Sequence, residues 1–538
     1  MSFNDSVLEL DVEGSMPLPA SADCVAASAS KRRRRTWDSQ FLSAALDAPD
    51  DLLCGPKDAS EAVHWASADV NALKINGDKH FGPLGLNVTD ALNSTLQSGV
   101  ALTTDYSGLG GAEEALRHIV VAAGHGKVVV QRAGDLLPEA RCVLRHHSEP
   151  CAPKCVLGDI RHRLDDVTMT RLEIRHANLK TGAVQQLLKG KARKEVLEEY
   201  GREFMRQAAN MVRPKDPAGL AETLVARCYV HQRDCRVLPS VPTDFHGIRG
   251  NVAGVNCYDW STMGKMERWL GRGVFAFVVW LRERYAAGEH FIVVECVMNF
   301  DHEMLEELFD GEFKLSVLVI SPTLFGDPVE RRRKYMILLA EDKLKWHPAV
   351  ENMGIQESFD KLFKRSMVMS GCDRLRAPQE QVAKDIRRRA CDRGLPATQA
   401  SGRPWSAWMA CTPAQRKAID SHEKALQREG LDDKGSYVTN TMQNPCFIGP
   451  QELVPALLRR THLWSFKARR YALPFELLEC QGYNVYDEDI YKSDILAQLE
   501  TRSDSCVKRL VGNAMHLRAV GTTLMFIFAC TIPVPASN

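Results

Sequence analysis

The chain reads as an α/β protein, a mostly parallel sheet with helical crossovers joined to a smaller basic domain. Three observations predict this. From about residue 97, short apolar runs ending at glycine or a carboxylate alternate with helical stretches. The alternation breaks at about 165–240 and then resumes. A segment of different charge, 346–460, lies between two α/β blocks.

With 538 residues there is room for two or three domains, and 45% apolar content is enough to bury a proper core. Lysine and arginine (69) balance aspartate and glutamate (68), so any nucleic-acid surface must be local. The 16 cysteines follow no regular framework and no signal peptide is recognised. That predicts a reducing compartment and mostly free, buried thiols. The apolar run Leu524 to Cys530 is too short to cross a bilayer, and no membrane partner is expected.

Residues 1–95 are mixed in character and are expected to be largely disordered or regulatory. Within them, Lys31-Arg32-Arg33-Arg34-Arg35 is either a nuclear-import or phosphate-contacting arm, or a solvated tail. The block 96–345 is the expected catalytic and cofactor-binding domain. Its first strand, Ala101 to Tyr106, runs into the glycine turn Ser107-Gly108-Leu109-Gly110-Gly111, followed by a helix from Ala112 to Val121. Next come a strand at Lys127 to Gln131, a helix at Pro138 to His146 and a short strand at Cys155-Val156-Leu157. In the insertion, Val184, Leu188, Val196, Tyr200, Phe204, Ala208 and Met211 predict one face of a helix that stops before Pro214. Strands are then expected near 251–255, 291–295, 315–320 and 335–340, with a helix at about 266–287.

Lys361 to Arg393 holds ten basic and four acidic residues. Thr412-Pro413-Ala414-Gln415 is a capping box with proline at the first helical position, and Gly430 stops that helix. The 346–460 segment is therefore either a substrate-reading domain or a solvated charged insert. Residues 461–538 return to the catalytic domain.

Glycine clusters mostly just make turns, but Gly108, Gly110 and Gly111 follow a strand and precede a helix. There the backbone can approach a ligand closely at the carboxyl edge of a sheet. Asp135 after the second strand stands where a ribose hydroxyl would be held, and Asp159 after the third could accept from an adenine amino group. Together they suggest an adenosine-type cofactor. A cysteine such as Cys257 is most often structural. Its loop, however, holds Asn256, Asp259, Ser261, Thr262 and Gly264, polar and small enough to leave a thiolate reactive. Glu295 ends an apolar strand, which puts its carboxylate at the sheet edge as either a site residue or a salt-bridge partner.

These residues, in this order, resemble the S-adenosylmethionine-dependent cytosine carbon-5 DNA methyltransferases over about 100–160, 245–342 and 460–530. Tyr106, Ser107, Gly108, Gly110 and Gly111 resemble the cofactor loop; Asp135, with Pro138-Glu139-Ala140-Arg141, resembles the ribose ligand; Asp159 resembles the adenine contact. Cys257 matches the nucleophile with Ser261 beyond it, and Glu295 matches the glutamate of the Glu-Asn-Val motif. Phe325-Gly326-Asp327-Pro328 leading to Arg331 and Arg333 resembles the Arg-x-Arg motif, and Leu473-Pro474-Phe475-Glu476 with Gln481-Gly482 the motif after the target-recognition domain. Gly512-Asn513-Ala514-Met515 resembles the closing motif, in which Asn513 would support the cofactor and nucleophile loops.

The resemblance implies a Rossmann-like methyltransferase sheet with helices on both faces, plus a smaller target-recognition domain. It also implies S-adenosyl-L-methionine as cofactor, double-stranded DNA as partner, a nuclear location and no catalytic metal. Cys257 would attack a flipped cytosine, with Glu295, Arg331 and Arg333 around the base. The chain departs from the family pattern at Asn256 (usually Pro), Cys296 (Asn), Val329 (Gln) and Thr104, where an acid is common. Asn256 is expected to loosen the nucleophile loop. A tRNA cytosine-5 methyltransferase and a catalytically inactive DNA-binding relative are the alternatives. His146, His147, Cys151 and Cys155 fit no common zinc spacing, so no metal is expected.

Overall fold

The computed structural model describes residues 52–240, 245–431, 435–444 and 449–535. The Lys31 to Arg35 run lies outside them.

Seven strands form the central sheet: β1 (Val100–Asp105), β2 (Val128–Gly134), β3 (Cys155–Leu157), β4 (Ile248–Gly254), β5 (Phe291–Cys296), β6 (Phe313–Ile320) and β7 (Arg333–Ala340). Their spatial order is β3-β2-β1-β4-β5-β7-β6. Strands β1 to β5 pair in parallel, whereas β7 runs antiparallel to both its neighbours. The chain order reverses between β1 and β4, so the crevice at their carboxyl ends is where an open α/β sheet binds ligands.

Both faces of the sheet are covered, and the strands show why they read as unbroken apolar runs. Side chains alternate along a strand. Phe291 and Val293 of β5, with Tyr335, Ile337 and Leu339 of β7, pack into one core. Ile292, Val294 and Cys296, with Met336 and Leu338, pack into the other. The first core is closed by helices Trp65–His80, Val88–Ser98, Gly111–Ala123 and Leu517–Cys530; the second by Arg193–Val212 and Val274–Ala287. All 14 residues of Leu517–Cys530 are buried, which explains its apolar character without a bilayer. Among the described residues, no helix is long and apolar enough to cross a membrane.

Four sequence expectations need correction. Residues 59–98 are helical and packed rather than disordered: Trp65, Leu73, Leu92 and Leu96 are fully or almost fully buried. The buried Asp69 binds Arg518 (2.6 Å), Arg365 (2.9 Å) and Thr522 (2.9 Å), tying these helices to the C-terminal one. The one helix expected in the insertion is two, Asp166–Leu188 and Arg193–Val212, broken at Gly190, and a third, Pro217–Thr223, follows. Val184 and Leu188, assigned to the packed face, are exposed, because the break lets the second helix turn back on the first; Met211, assigned to the same face, is exposed beside the buried Val212. The helix expected at 266–287 begins only at Val274, after a short 3₁₀ turn at Arg268–Leu270.

The boundary at 346 also moves. Trp346, Val350, Phe359, Leu362 and Phe363 belong to the main core. Beyond them a small second core gathers Cys411, Ile419, Leu426, Trp464, Phe466 and Tyr471 around the strands Val438–Asn440, Leu463–Ser465 and Arg470–Tyr471. The capping box forms as the sequence predicts: Thr412 accepts from Gln415 N, and the Gln415 side chain accepts from Thr412 N.

Candidate active site

Register brings the site together. Asp105 of β1 lies opposite Ala253 of β4, Gly254 opposite Glu295 of β5, and Glu295 opposite Tyr335 of β7. Because β7 runs antiparallel, its amino end, with Arg331 and Arg333, reaches the same sheet edge as the carboxyl ends of β1, β4 and β5. Residues far apart in sequence thus meet along one edge.

At the end of β1 the chain turns sharply. Tyr106 takes φ +54°, a conformation non-glycine residues rarely adopt, and its buried hydroxyl has no hydrogen-bond partner. Burial, then the Asp105 charge, pushes its phenol well above the usual range. Ser107 N donates to Gly134 O (3.0 Å), and Gly108 N donates to Asp135 Oδ2 (2.9 Å). Asp135 also accepts from Leu137 N (2.8 Å), so its carboxylate ties the turn to β2. Its pKa is raised, because burial outweighs the two amide bonds.

Gly108 has φ +56°, and a Cβ there would meet nothing within 4 Å, so this backbone stands open to a ligand. Gly110 has φ +77°, and a Cβ there would collide with the His147 ring. His147 shares a hydrogen bond with Leu109 O (2.9 Å) and sits beside Glu114, buttressing the turn from behind. Gly111 begins the following helix.

The loop around Cys257 is held by its own hydrogen bonds. Cys257 O accepts from Trp260 N (3.0 Å) and Ser261 N (2.8 Å). Asn256 Oδ1 accepts from Tyr258 N (3.1 Å), an Asx turn, so Asn256 restrains the loop instead of loosening it. Trp260 packs against Trp269 (4.8 Å between rings) and Phe300 (4.9 Å). The Cys257 residue is half-buried. A Cys257 thiolate is close enough to favour the charged form of Arg331 and to oppose ionisation of Cys296.

Around it the charges are sparsely satisfied. Glu295 is 7% exposed; Arg333 Nε lies 3.2 Å from Glu295 Oε1, but misaligned, so this buried oxygen accepts no hydrogen bond. Arg331 is buried and gives one bond, Nη2 to Ala514 O (2.8 Å); its Nε and Nη1 are buried without partners. Burial, then the neighbouring Arg333 charge, lowers the Arg331 pKa to about 10. Burial and Glu295 hold the Cys296 thiol well above its usual range, leaving it protonated.

One expected site residue faces solvent, and another is paired within its own turn. Asn513 is exposed, and its Oδ1 accepts from Arg459 Nε (2.9 Å). The parts of its motif that reach the cleft are Ala514, which receives Arg331, and Met515, which touches the positions of both Gly111 and Gly254. Asp159 is engaged with its neighbour: it caps the Ile160–Arg163 turn and accepts from Arg161 N, Nε and Nη2. Burial would raise its pKa, but the Arg161 bonds win and lower it.

Sequence reasoning missed the buried charges beneath the turn. Asp105 accepts from Arg132 Nη1 (2.6 Å) and Nη2 (2.9 Å), Arg163 (3.3 Å) and Asn251 (3.0 Å). Burial alone would raise its pKa; Arg132, Arg163 and Arg284 together hold it far below the carboxylate range. A charged residue inside an apolar strand run was the available signal, but its partners lie on three other segments. Sequence reasoning also missed the surroundings of Cys155, which does not group with His146, His147 or Cys151 but faces Cys228, His231 and Cys235.

No family model matches the chain, and no curated protein matches it. Among solved structures it is similar to the S. pombe Dnmt2 methyltransferase (12% identity, TM-score 0.38, covering 80% of this chain and 98% of that one). It is also similar to the Entamoeba histolytica methyltransferase EhMeth (10%, 0.37, covering 80% and 98%). A putative DNA modification methyltransferase from an E. coli prophage gives 13% and 0.37, covering 79% and 97%. At these TM-scores the likeness bears no weight, and function rests on the residues of the cleft.

Proposed function

We propose that the chain is an S-adenosylmethionine-dependent cytosine-5 methyltransferase acting on double-stranded DNA. The observation that carries this reading is a half-buried cysteine three residues beyond β4, at the sheet edge that also holds two buried, under-partnered groups, Glu295 and Arg331, and the open glycine turn.

The cofactor would supply an electrophilic methyl group. Tyr106, Ser107, Gly108, Gly110, Gly111, Asp135 and Asp159 would hold it; the open backbone at Gly108 and the unpartnered Tyr106 hydroxyl suit such a ligand. On this reading Asp159 would first have to release part of its Arg161 pairing. A flipped cytosine gives up its stacking, which costs a few kcal/mol. Cys257 attacks ring carbon 6, and the electron pair moves towards carbon 5 and ring nitrogen 3. Glu295, entering this step as the acid, donates its proton to nitrogen 3 and so neutralises the charge developing there. Arg331 and Arg333 hold the base carbonyl. After carbon 5 is methylated, its proton passes to water, the freed electron pair re-forms the double bond and expels the Cys257 sulfur, and the nitrogen 3 proton returns to Glu295.

The small domain beyond residue 363 would read the target, and the Lys31 to Arg35 run would direct the chain to the nucleus. A 5-fluorocytosine duplex tests the reading, because fluorine cannot leave as a proton and the covalent adduct persists. With S-adenosylmethionine the wild type should be trapped and Cys257→Ala should not. Equal failure of both, with DNA binding intact, would indicate an inactive relative; trapping on fluorinated tRNA alone would move the substrate to RNA.

A further inference from the structure

We infer that Cys155, Cys228, His231 and Cys235 form a structural zinc site. Cys155 opens β3, while the other three sit on and around the hairpin Val225–Arg227/Asp234–Arg236 of the insertion. Their ligand atoms all lie within 4.8 Å of one another. His231 Nδ1 is 3.6 Å from Cys155 Sγ, 3.5 Å from Cys228 Sγ and 3.4 Å from Cys235 Sγ. Around a tetrahedral zinc bonded at about 2.3 Å to sulfur and about 2.0 Å to nitrogen, sulfur and nitrogen ligands stand about 3.6 Å apart. The three nitrogen–sulfur edges of that tetrahedron are therefore already in place.

The ligand chemistry selects the metal. Three thiolates and one imidazole suit zinc and disfavour calcium or magnesium, and four protein ligands leave no open position for catalysis. The local fold also needs a staple. Among the described residues, this corner's buried cluster is Leu157, Cys228, Val237 and Leu238, too few for an independent core.

The site would stiffen the wall of the cleft. Cys228 bridges Leu157 of β3, and Tyr229 N donates to Val156 O (2.8 Å). The Tyr229 ring then lies against Gly158 and beneath the Arg141 guanidinium, 4.3 Å from its centroid. The zinc would thus lock the hairpin onto the strand that leads into Gly158 and Asp159.

Metal analysis of the purified full chain, kept reduced and free of chelator, tests this independently of methyl transfer. We expect about one zinc per chain. Cys228→Ser with Cys235→Ser should lower the content about tenfold or more, while Cys151→Ser and His146→Ala should leave it unchanged. Cobalt exchanged into the wild type should show thiolate charge-transfer and tetrahedral bands, and His231→Cys should keep the metal but shift those bands. Cobalt substitution and His231→Cys decide the matter if the double variant does not fold. The inference is overturned by folded, metal-free wild type, by zinc undiminished in a folded double variant, by cobalt without thiolate bands, or by a disulfide among the three cysteines under reducing conditions.

Discussion

Asp105 and Glu295 are both buried carboxylates at the carboxyl ends of parallel strands, two strands apart in one sheet, yet their surroundings are opposite. Asp105 receives four hydrogen bonds of at most 3.3 Å from Arg132, Arg163 and Asn251. Glu295 has a single cation at 3.2 Å, misaligned, and an oxygen with no donor. Buried polar groups in folded proteins are nearly always satisfied. A saturated carboxylate fits a scaffold role, and an under-served one at the cleft edge fits the ligand contact proposed for Glu295. Arg132 and Arg331 repeat the contrast: the first is bidentate to Asp105, the second gives one bond to a carbonyl.

The comparison can be broken by mutation. Cys257→Ala should abolish covalent trapping and methyl transfer while leaving the melting temperature nearly unchanged; measurable trapping would remove the nucleophile from the scheme. Asp105→Asn should act the other way, costing about 3–5 kcal/mol of stability in denaturant titration, since it leaves the arginines short of a counter-charge. A shift below about 1 kcal/mol would show that Asp105 is not scaffold. Glu295→Gln should slow single-turnover methylation by about a hundred- to a thousandfold at nearly constant stability; the reverse pattern would make Glu295 structural.

Acid sharpens the comparison further. Burial, with Arg249 and Lys343, lowers the His290 pKa from 6.5 to about 4; burial, with Lys508 and Arg389, does the same to His462. The unfolded chain binds these protons at higher pH than the folded one, so stability should be full above about 6.5 and fall as pH drops towards 4. Asp105 is depressed, so its contribution should persist until pH falls below the ordinary Asp value of about 3.9 and then be lost. His290→Gln and His462→Gln together should flatten only the upper limb of a pH–stability curve. Thr412→Ala should be the mildest change, costing about 1 kcal/mol through loss of the helix cap.

Features that depend on a few consecutive residues were legible in the sequence. The glycine turn after β1, the capping box at Thr412 and the ends of β4, β5 and β7 all follow from local patterning, and they sit close to where the sequence puts them. Features that depend on chain reversal were not. A period of three and four residues carried one helical face through Gly190, although a left-handed glycine there starts a second helix. The helices at 59–98 looked unstructured because their apolar residues are few and meet their partners only against Leu517–Cys530. Asn513 matched by motif, but its neighbours Ala514 and Met515 face the cleft, a matter of where the helix Asp504–Asn513 ends.

Sequence alone determined the alternation of strands and helices and the order of the reactive residue types, because periodicity and turn chemistry act over a few residues. Tertiary structure decided which charges are paired and which are bare, and that Cys155 meets a histidine 76 positions away. Those outcomes depend on strand order, on the antiparallel entry of β7 and on the docking of the insertion, and such long-range geometry leaves no local trace in the chain.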